Sequence, residues 1–413
     1  MSKNILFFGI ILFDFKIIIC NNNNAEKHYS AKKGQKMASK EVAILDFGSQ
    51  CITVAVGFPD VNHTINVTAF YEEPYEGFMD GEFIEPNNLE DALSRALAGA
   101  EKSINKKITS LTIGVPTEFC FSMCKTVAQT FIKPKKITRK DLMSMFDEVS
   151  ININTHTIIN RDFVYFVLGE NNKVENPIGY VDSKITAGLS FILAENSFID
   201  VVCKALIKCG VQDFDFVSSA YAQGLYLFDK EQRDRYLLLV DTGYITTSVA
   251  LFRGRGVLEL SSFSLGGGHI CADLSSLLKI PFDSAESLFK KVVLCIEPAE
   301  SDTYEIVINK QIVPVSMRVA NAIVESRIEV IAKGIQKCFN SWQYKFPDFI
   351  PVYITGGGLA LTKGGKDVLA NVLLKNVEVA KMPYSQHNRV NNSSSMAVLD
   401  YAINKKNNGG KNV

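Results

Sequence analysis

A short apolar run that ends in Asp-x-Gly and leads into a second apolar run occurs twice along the chain. The first copy is VAILDFGSQCITVAV, residues 42–56, and the second is LLLVDTGYITTSVAL, residues 237–251. Each run is too short for a buried helix and is rich in Val, Ile and Leu, as strands covered on both faces are. The pattern therefore predicts two matching hairpins of buried strands, with Asp46 and Asp241 at equivalent strand ends.

The pattern between and after the hairpins predicts alternating strands and helices. Apolar positions at helical spacing indicate helices that begin at Asn88 or cover residues 197–209, 218–228 and 318–339. Residues 117–196 stand apart, because they predict strands around one helix and contain no charged cluster that suggests catalysis. We interpret this region as an inserted interaction module.

The two hairpins contain residue types that suit a nucleotide phosphate site. Gly48 and Gly243 allow tight turns in which backbone N–H groups converge on an anion. Hydroxyl donors are supplied by Ser49, Thr246 and Thr247. Asp46 and Asp241 would then face a Mg²⁺, directly or through its waters, because this ion keeps several waters and binds few protein oxygens. Turn chemistry alone would explain one copy, but two copies in register favour a site.

Composition restricts the class of protein. A chain of 413 residues suits two domains. The formal net charge of zero argues against a nucleic-acid partner, which normally requires clustered Lys and Arg. Nine cysteines without paired spacing predict neither a disulfide framework nor a zinc site, and indicate a reducing cytoplasm.

Residues 1–36 differ in composition from the rest of the chain. Their apolar part is interrupted by Asp14 and Lys16 and is shorter than the about 20 residues that span a bilayer. No small-residue cleavage site of a secretory signal follows. Richness in Phe, Ile, Asn and Lys is typical of translated AT-rich DNA. We therefore expect a non-native or disordered extension, with synthesis starting at Met37.

With these motifs and several later ones in order, the chain resembles the bacterial cell-division actin family FtsA, within the actin, Hsp70 and sugar-kinase superfamily. The family's two phosphate motifs are similar to VAILDFGSQ and LLLVDTGYITTSVAL. Its segment towards the ribose is similar to SLGGGHICADLSSLLKIPFDSAESLFKK, and its adenosine motif to VYITGGGLAL. The end of its extra domain, called 1C, is similar to NPIGYVDSKITAGLSFILAENSFIDVVCKALIKCGV. The resemblance covers about residues 41–403.

The resemblance implies an α/β, actin-like fold, in which two RNase H-like domains flank a nucleotide cleft and a small α+β domain of the 1C type is inserted. It also implies a division of the chain. The expected segments are the extension 1–36, domain 1A in 37–116, the inserted 1C-like domain in 117–196, domain 1A continued in 197–236, domain 2A in 237–278, domain 2B in 279–349, domain 2A continued in 350–392, the closing helix of domain 1A in 393–403, and a disordered tail in 404–413.

The resemblance further implies ATP and Mg²⁺ as ligands, with the hairpin residues at the phosphates. Nucleoside contacts are expected from Gly267, Gly268, Glu286, Lys290, Gly356, Gly357 and Gly358. Spacing alone leaves open that Glu286 and Lys290, at i and i+4, are a surface ion pair. The implied function is a scaffold that forms filaments, links the C-terminal tail of FtsZ to the membrane, and contacts other division proteins through the 1C-like domain.

Three departures from the family pattern modify this expectation. Tyr244 and Ile245 stand where the family's second phosphate motif has further glycines. Ser248 replaces an Asp, a residue that can polarise a water, so we expect at most weak ATP hydrolysis and no catalytic residue. The ending KKNNGGKNV has no apolar face for a membrane helix. We therefore expect a cytoplasmic protein that reaches the inner face of the cell membrane at the division site indirectly.

Two other functions stay open. A small-molecule kinase of the same superfamily needs a base beside a substrate hydroxyl and an acceptor pocket, and the intervening module supplies no convincing pocket. An actin-like adaptor of another envelope machine, such as the pilus-assembly homologues, shares the fold and the cleft. Binding of an FtsZ tail peptide separates this adaptor from an FtsA-like scaffold.

Overall fold

A computed structural model of the chain describes residues 41–407, apart from 61–63, 76, 80, 85, 384–386 and 388. The predicted extension 1–36, the predicted start at Met37 and residues 408–413 of the predicted tail lie outside the described residues.

Strands and helices alternate along the described chain. The strands are β1 (Val42–Phe47), β2 (Cys51–Pro59), β3 (Ile65–Pro74), β4 (Phe78–Met79), β5 (Glu82–Phe83), β6 (Ser110–Val115), β7 (Cys120–Lys136), β8 (His156–Leu168), β9 (Asn172–Val174), β10 (Val181–Glu195), β11 (Asp213–Ser218), β12 (Leu237–Thr242), β13 (Thr247–Arg253), β14 (Gly256–Phe263), β15 (Thr303–Ile308), β16 (Gln311–Ser316), β17 (Val352–Thr355) and β18 (Val377–Val379). The helices are α1 (Pro86–Ile104), α2 (Arg139–Asp147), α3 (Asn196–Lys208), α4 (Ser219–Leu227), α5 (Lys230–Asp234), α6 (Gly267–Leu278), α7 (Phe282–Phe289), α8 (Met317–Ser341), α9 (Gly365–Leu373) and α10 (Ser393–Asn407).

Two five-stranded sheets share one topology. The strand order is β3-β2-β1-β6-β11 in the first sheet and β14-β13-β12-β17-β18 in the second. In each sheet three consecutive strands form an antiparallel meander, and two later strands join in parallel beside the first. Asp46 and Asp241 therefore lie in the central strands, at equivalent positions. The duplication predicted from the repeated hairpin is confirmed by this shared topology.

A shared core joins the two sheets. Helix α10 contacts β1, β2 and β6, and helix α4 contacts α10, β11 and β13. One buried cluster accordingly contains Ile44 of the first sheet, Leu239 and Phe252 of the second, and Leu399 of α10. Gly224 of α4 makes this packing possible, because a Cβ there would lie 2.3 Å from the ring of Phe252. The two helices thus form the layer that fixes both hairpins.

The inserted region forms a sheet of its own, ordered β7-β10-β8-β9 and covered by α2. Thr138 and Asp141 start α2 with a capping box. The sheet packs against β14, where the Ser190 hydroxyl donates to the carbonyl of Val257 at 2.7 Å and accepts the Val257 N–H at 3.0 Å. The inserted region is therefore bonded directly to the second five-stranded sheet.

A buried polar network reinforces this contact. The carboxylate of Asp162 in β8 accepts the hydroxyl of Tyr221 in α4 at 2.6 Å and Nε of Arg255 at 2.9 Å. Burial, together with the charge of Asp162, raises the pKa of Tyr221 well above its ordinary value, so this phenol stays a donor. Three parts of the chain, the inserted sheet, α4 and the β13–β14 turn, meet at one carboxylate.

The smaller part of the second half consists of the β15–β16 hairpin packed with α7 and α8. Arg327 of α8 forms a bidentate ion pair with Asp273 of α6 at 2.6 and 2.7 Å, which joins this part to the rest of the second half. Within the part of the chain that the structure describes, no helix is both long and apolar enough to cross a bilayer.

The closing helix is longer than predicted. Residues 404–407, predicted as the start of a disordered tail, are the last turn of α10. Lys405 pairs with Asp215, and the Lys406 ammonium donates to the carbonyl of Glu41 at 2.8 Å. These side chains anchor the turn to the first sheet, and lysines at a helix C-terminus are also favoured by the helix dipole.

Candidate functional site

The carboxylate of Asp46 is held by three serine hydroxyls. Ser219 and Ser394 donate to Oδ1 at 3.1 and 2.9 Å, and Ser395 donates to Oδ2 at 2.9 Å. Burial raises the pKa of Asp46, and the three hydroxyls oppose that shift. Gly114 on the neighbouring strand leaves room for the carboxylate, since a Cβ there would lie 2.6 Å from Oδ1. Helices α4 and α10 together thus fix the first hairpin's aspartate.

The second hairpin's aspartate, Asp241, is half-buried and held by one amide. Gln223 Nε2 donates to its Oδ2 at 2.6 Å and to the hydroxyl of Ser393 at 3.0 Å, and Thr355 donates to Ser393 at 2.8 Å. Burial raises the pKa of Asp241 to about 6, and the negative charge of Asp46 adds to this shift. The two carboxylates therefore act on each other across the space between the hairpins.

One glycine of the predicted adenosine motif makes room for Asp241. Gly356 has a φ of +89°, and a Cβ there would lie 2.2 Å from Asp241 Oδ1. Gly357 is exposed, and a Cβ there would meet only the Cβ of Asn391, at 3.2 Å. A glycine is thus required at position 356, because the carboxylate of Asp241 lies where a side chain would be.

The other predicted glycines pack on the second hairpin's turn. The N–H of Gly267 donates to the carbonyl of Gly243 at 3.0 Å, and the N–H of Gly268 donates to that of Tyr244 at 2.7 Å. A Cβ at Gly358 would lie 2.1 Å from the carbonyl oxygen of Gly243. These glycines do allow a close approach, and in this structure the group that approaches them is the protein's own second turn.

The two turns match in detail. The N–H of Gly48 donates to the carbonyl of Cys51, and the N–H of Gly243 donates to that of Thr246, both at 2.9 Å. Because each glycine N–H closes its own turn, an anion between the hairpins would have to be held by other groups of the turns.

The two turns also contact each other. The N–H of Ile245 donates to the hydroxyl oxygen of Ser49 at 3.0 Å, which links the second turn to the first. The hydroxyl of Thr246 donates to the carboxylate of Glu118 at 3.2 Å, just after β6. Ser49 and Thr246, two of the predicted phosphate donors, therefore lie where the halves of the chain meet.

The three remaining predicted site residues, Thr247, Glu286 and Lys290, lie in surroundings that differ from one another. The hydroxyl of Thr247 is not brought to the space between the turns, because Thr247 is fully buried and donates to the carbonyl of Leu265 at 2.6 Å. Glu286 accepts the hydroxyl of Tyr244 at 2.9 Å. Lys290 is exposed at the end of α7 and forms no ion pair with Glu286 among the described residues. The surface ion pair between Glu286 and Lys290, which their spacing left open, is therefore absent among the described residues.

The serines and the glutamine that hold the two aspartates were not predicted from the sequence. Residues 393–395 are three consecutive serines just before the apolar run MAVL of α10, and they all bond into the site. Such a polar triplet on a buried helix was the available signal. Gln223, fully buried in an apolar helix, was a second one.

The donor set fits Mg²⁺. Asp46 and Asp241 offer only oxygen, and Oδ1 of Asp241 accepts no hydrogen bond from a described residue. No group of three or more His, Cys, Asp or Glu that could hold a metal occurs in the described ranges. Two carboxylates completed by waters and phosphates are the usual surroundings of Mg²⁺ in nucleotide sites.

Curated relatives are cell-division proteins. The family model for "Cell division protein FtsA" matches residues 238–399. The chain is 23% identical over 342 residues to cell division protein FtsA of Neisseria meningitidis, covering 80% of each protein. It is 20% identical over 348 residues to cell division protein FtsA of Bacillus subtilis, covering 82% of this chain and 78% of that protein.

Solved structures with the same fold are actin-like. The chain has a TM-score of 0.56 to the PilM–PilN type IV pilus biogenesis complex, with 14% identity and 88% and 98% of the chains covered. It scores 0.53 against MreB 5 of Spiroplasma citri bound to AMPPNP, with 10% identity and 90% and 99% covered. It scores 0.51 against a MamK double helical filament, with 14% identity and 89% and 98% covered.

At such identities the solved structures establish the fold, and the relatives establish the family likeness. The resemblance to the FtsA family is therefore confirmed: the chain is similar to cell division protein FtsA over about four-fifths of its length, and its fold is that of the actin-like ATPases.

Proposed function

We propose that this protein is an FtsA-like cell-division scaffold that binds Mg-ATP between its two actin-like halves. One observation carries this proposal: two equivalent strand ends hold carboxylates beside the same helices, because Ser394 and Ser395 of α10 bond to Asp46 and the adjacent Ser393 bonds to the amide of Gln223 that holds Asp241. A divalent cation neutralises such a pair, and its remaining sites are open to waters and phosphate oxygens. The nucleotide would then stabilise the arrangement in which the two hairpins face each other.

In this proposal Asp46 and Asp241 hold Mg²⁺ through water. Phosphate contacts come from the turns around Gly48, Ser49, Gly243 and Thr246, and nucleoside contacts from Gly267, Gly268, Glu286, Lys290 and the Gly356–Gly358 segment. Ser248 lies directly opposite Asp241 in the β12–β13 register, and a serine there cannot act as a carboxylate base. ATP therefore serves as a structural ligand that is hydrolysed weakly at most.

We further propose that the FtsZ tail binds to the β15–β16 hairpin. Val307 and Ile312 are a cross-strand pair with 63% and 68% of their surfaces exposed, and Val319 at the start of α8 is 48% exposed. Adjacent exposed apolar side chains are typical of binding surfaces. Self-association is supported by the filament-forming MamK neighbour, and membrane attachment would follow from partners or from filament avidity.

Fluorescence anisotropy with a labelled FtsZ C-terminal tail peptide, in Mg-ATP, tests this function. We expect saturable binding that Ile312→Glu abolishes. Ile132→Glu is the matched control, because Ile132 is fully exposed on β7 of the inserted sheet and should leave binding unchanged. A wild-type protein that binds Mg-ATP but not the peptide would instead favour an adaptor of another envelope machine.

A further inference from the structure

Tyr244 follows Gly243 in the second turn, but its side chain reaches the helices of the second half. Its hydroxyl donates to Glu286 Oε1 in α7 at 2.9 Å. Its ring lies on the backbone of Gly268 in α6, where a Cβ would be 3.0 Å from Cε1 and 3.1 Å from Cζ. Its carbonyl accepts the N–H of the same glycine at 2.7 Å. Tyr244 therefore joins the turn to α6 and α7 through both its ring and its backbone.

Glu286 and Gly268, which this side chain contacts, are both among the residues expected at the nucleoside. A ribose hydroxyl and a phenol hydroxyl are the same kind of donor, so they compete for the one carboxylate of Glu286. A flat base or ribose can approach Gly268 only where no other ring covers it, and the ring of Tyr244 covers it. Tyr244 and a nucleoside thus exclude each other at these contacts.

We infer that Tyr244 is a gate on the nucleotide cleft, whose side chain must leave Glu286 and Gly268 before a nucleoside can bind. This inference rests on the proposed nucleotide-binding function. A site whose competent form is only a fraction of the population binds its ligand more weakly by that fraction. The tyrosine therefore sets the nucleotide concentration at which the scaffold responds, which a glycine at this position would not do.

Calorimetric titration of Mg-ATP into the full chain tests the gate with three variants. Tyr244→Phe keeps the ring and removes the hydroxyl bond to Glu286, whereas Tyr244→Gly removes both. Ile245→Gly separates the gate from turn flexibility, because it gives the same turn a similar gain in flexibility and keeps Tyr244. We expect Tyr244→Gly to lower Kd at least tenfold, and both Tyr244→Phe and Ile245→Gly to lower it by smaller factors.

Association kinetics with a fluorescent ATP analogue give an independent measure. If the gate must open first, the observed rate for the wild-type protein levels off with nucleotide concentration, whereas that for Tyr244→Gly rises linearly. Equal Kd values for the wild type and Tyr244→Gly would overturn the gate and leave nucleotide binding intact. The same tenfold gain in Ile245→Gly would also overturn it, in favour of turn flexibility. Absence of binding in every variant would overturn the proposed nucleotide site and the gate together.

Discussion

Replacing Asp241 by Asn should make the protein more stable at neutral pH while weakening its affinity for Mg-ATP. Burial and the neighbouring Asp46 raise the pKa of Asp241 to about 6 from an ordinary value of 3.8. The folded protein therefore holds this proton more tightly than the unfolded chain does. The resulting stabilisation is fully present below pH 3.8 and is lost as the pH rises through about 6.

The magnitude follows from the pKa values. At 1.36 kcal/mol per pKa unit, the full shift corresponds to about 3 kcal/mol of folding free energy lost between low pH and pH 8. Asn carries no charge, and its side-chain carbonyl can still accept the amide of Gln223. We expect Asp241→Asn to raise the free energy of unfolding by about 1–3 kcal/mol at pH 8, with about half of that gain left at pH 5.

Urea denaturation at pH 5 and pH 8 measures the gain in the free energy of unfolding at each pH. Trp342 is the chain's single tryptophan and is buried, with its N–H bonded to Ser261, so its fluorescence reports unfolding. Asp400→Asn is the matched control, because burial also raises the pKa of Asp400 to about 6. It should give a similar gain and leave Mg-ATP affinity unchanged. A destabilised Asp241→Asn at pH 8, or a gain that is independent of pH, would contradict a buried charge on Asp241 as the source of the gain.

Four further substitutions test the packing around the site and at the inserted sheet by urea denaturation. Gly356→Ala should cost about 2–4 kcal/mol, because it adds a Cβ 2.2 Å from the second aspartate at a positive φ, whereas the exposed neighbour Gly357→Ala should cost less than about 1 kcal/mol. Ser395→Ala removes the hydroxyl on Oδ2 of the first aspartate and should cost about 1–3 kcal/mol; no loss would mean that water replaces it. Arg255→Ala removes a donor from the buried Asp162 and should cost about 1.5–3 kcal/mol. An unchanged free energy of unfolding would mean that apolar packing alone holds the inserted sheet to the β13–β14 turn.

The duplicated hairpin was predictable because its signal is local. Each copy places a buried strand, Asp-x-Gly and a second strand within fifteen residues, and register within such a hairpin follows from the turn. Strands β11 and β18 and helix α9 were not foreseen. Strand β18 has three residues, and so short an apolar run carries little periodicity.

The bonds that complete the site were not predictable, because they join distant parts of the sequence. Ser394 lies 348 positions from Asp46, and Glu286 lies 42 positions from Tyr244. The sequence revealed that Tyr244 is bulkier than the glycine expected there. Whether the ring would point to solvent or across α6 depends on where two helices pack, which no local pattern encodes.

Calorimetric titration of ATP into wild-type and Asp241→Ala proteins, each with Mg²⁺ and with EDTA, tests whether a nucleotide binds between the two aspartates. We predict one ATP per chain for the wild type in Mg²⁺ and much weaker binding in EDTA or in Asp241→Ala. Equal affinity under all four conditions, or no binding in any of them, would contradict it.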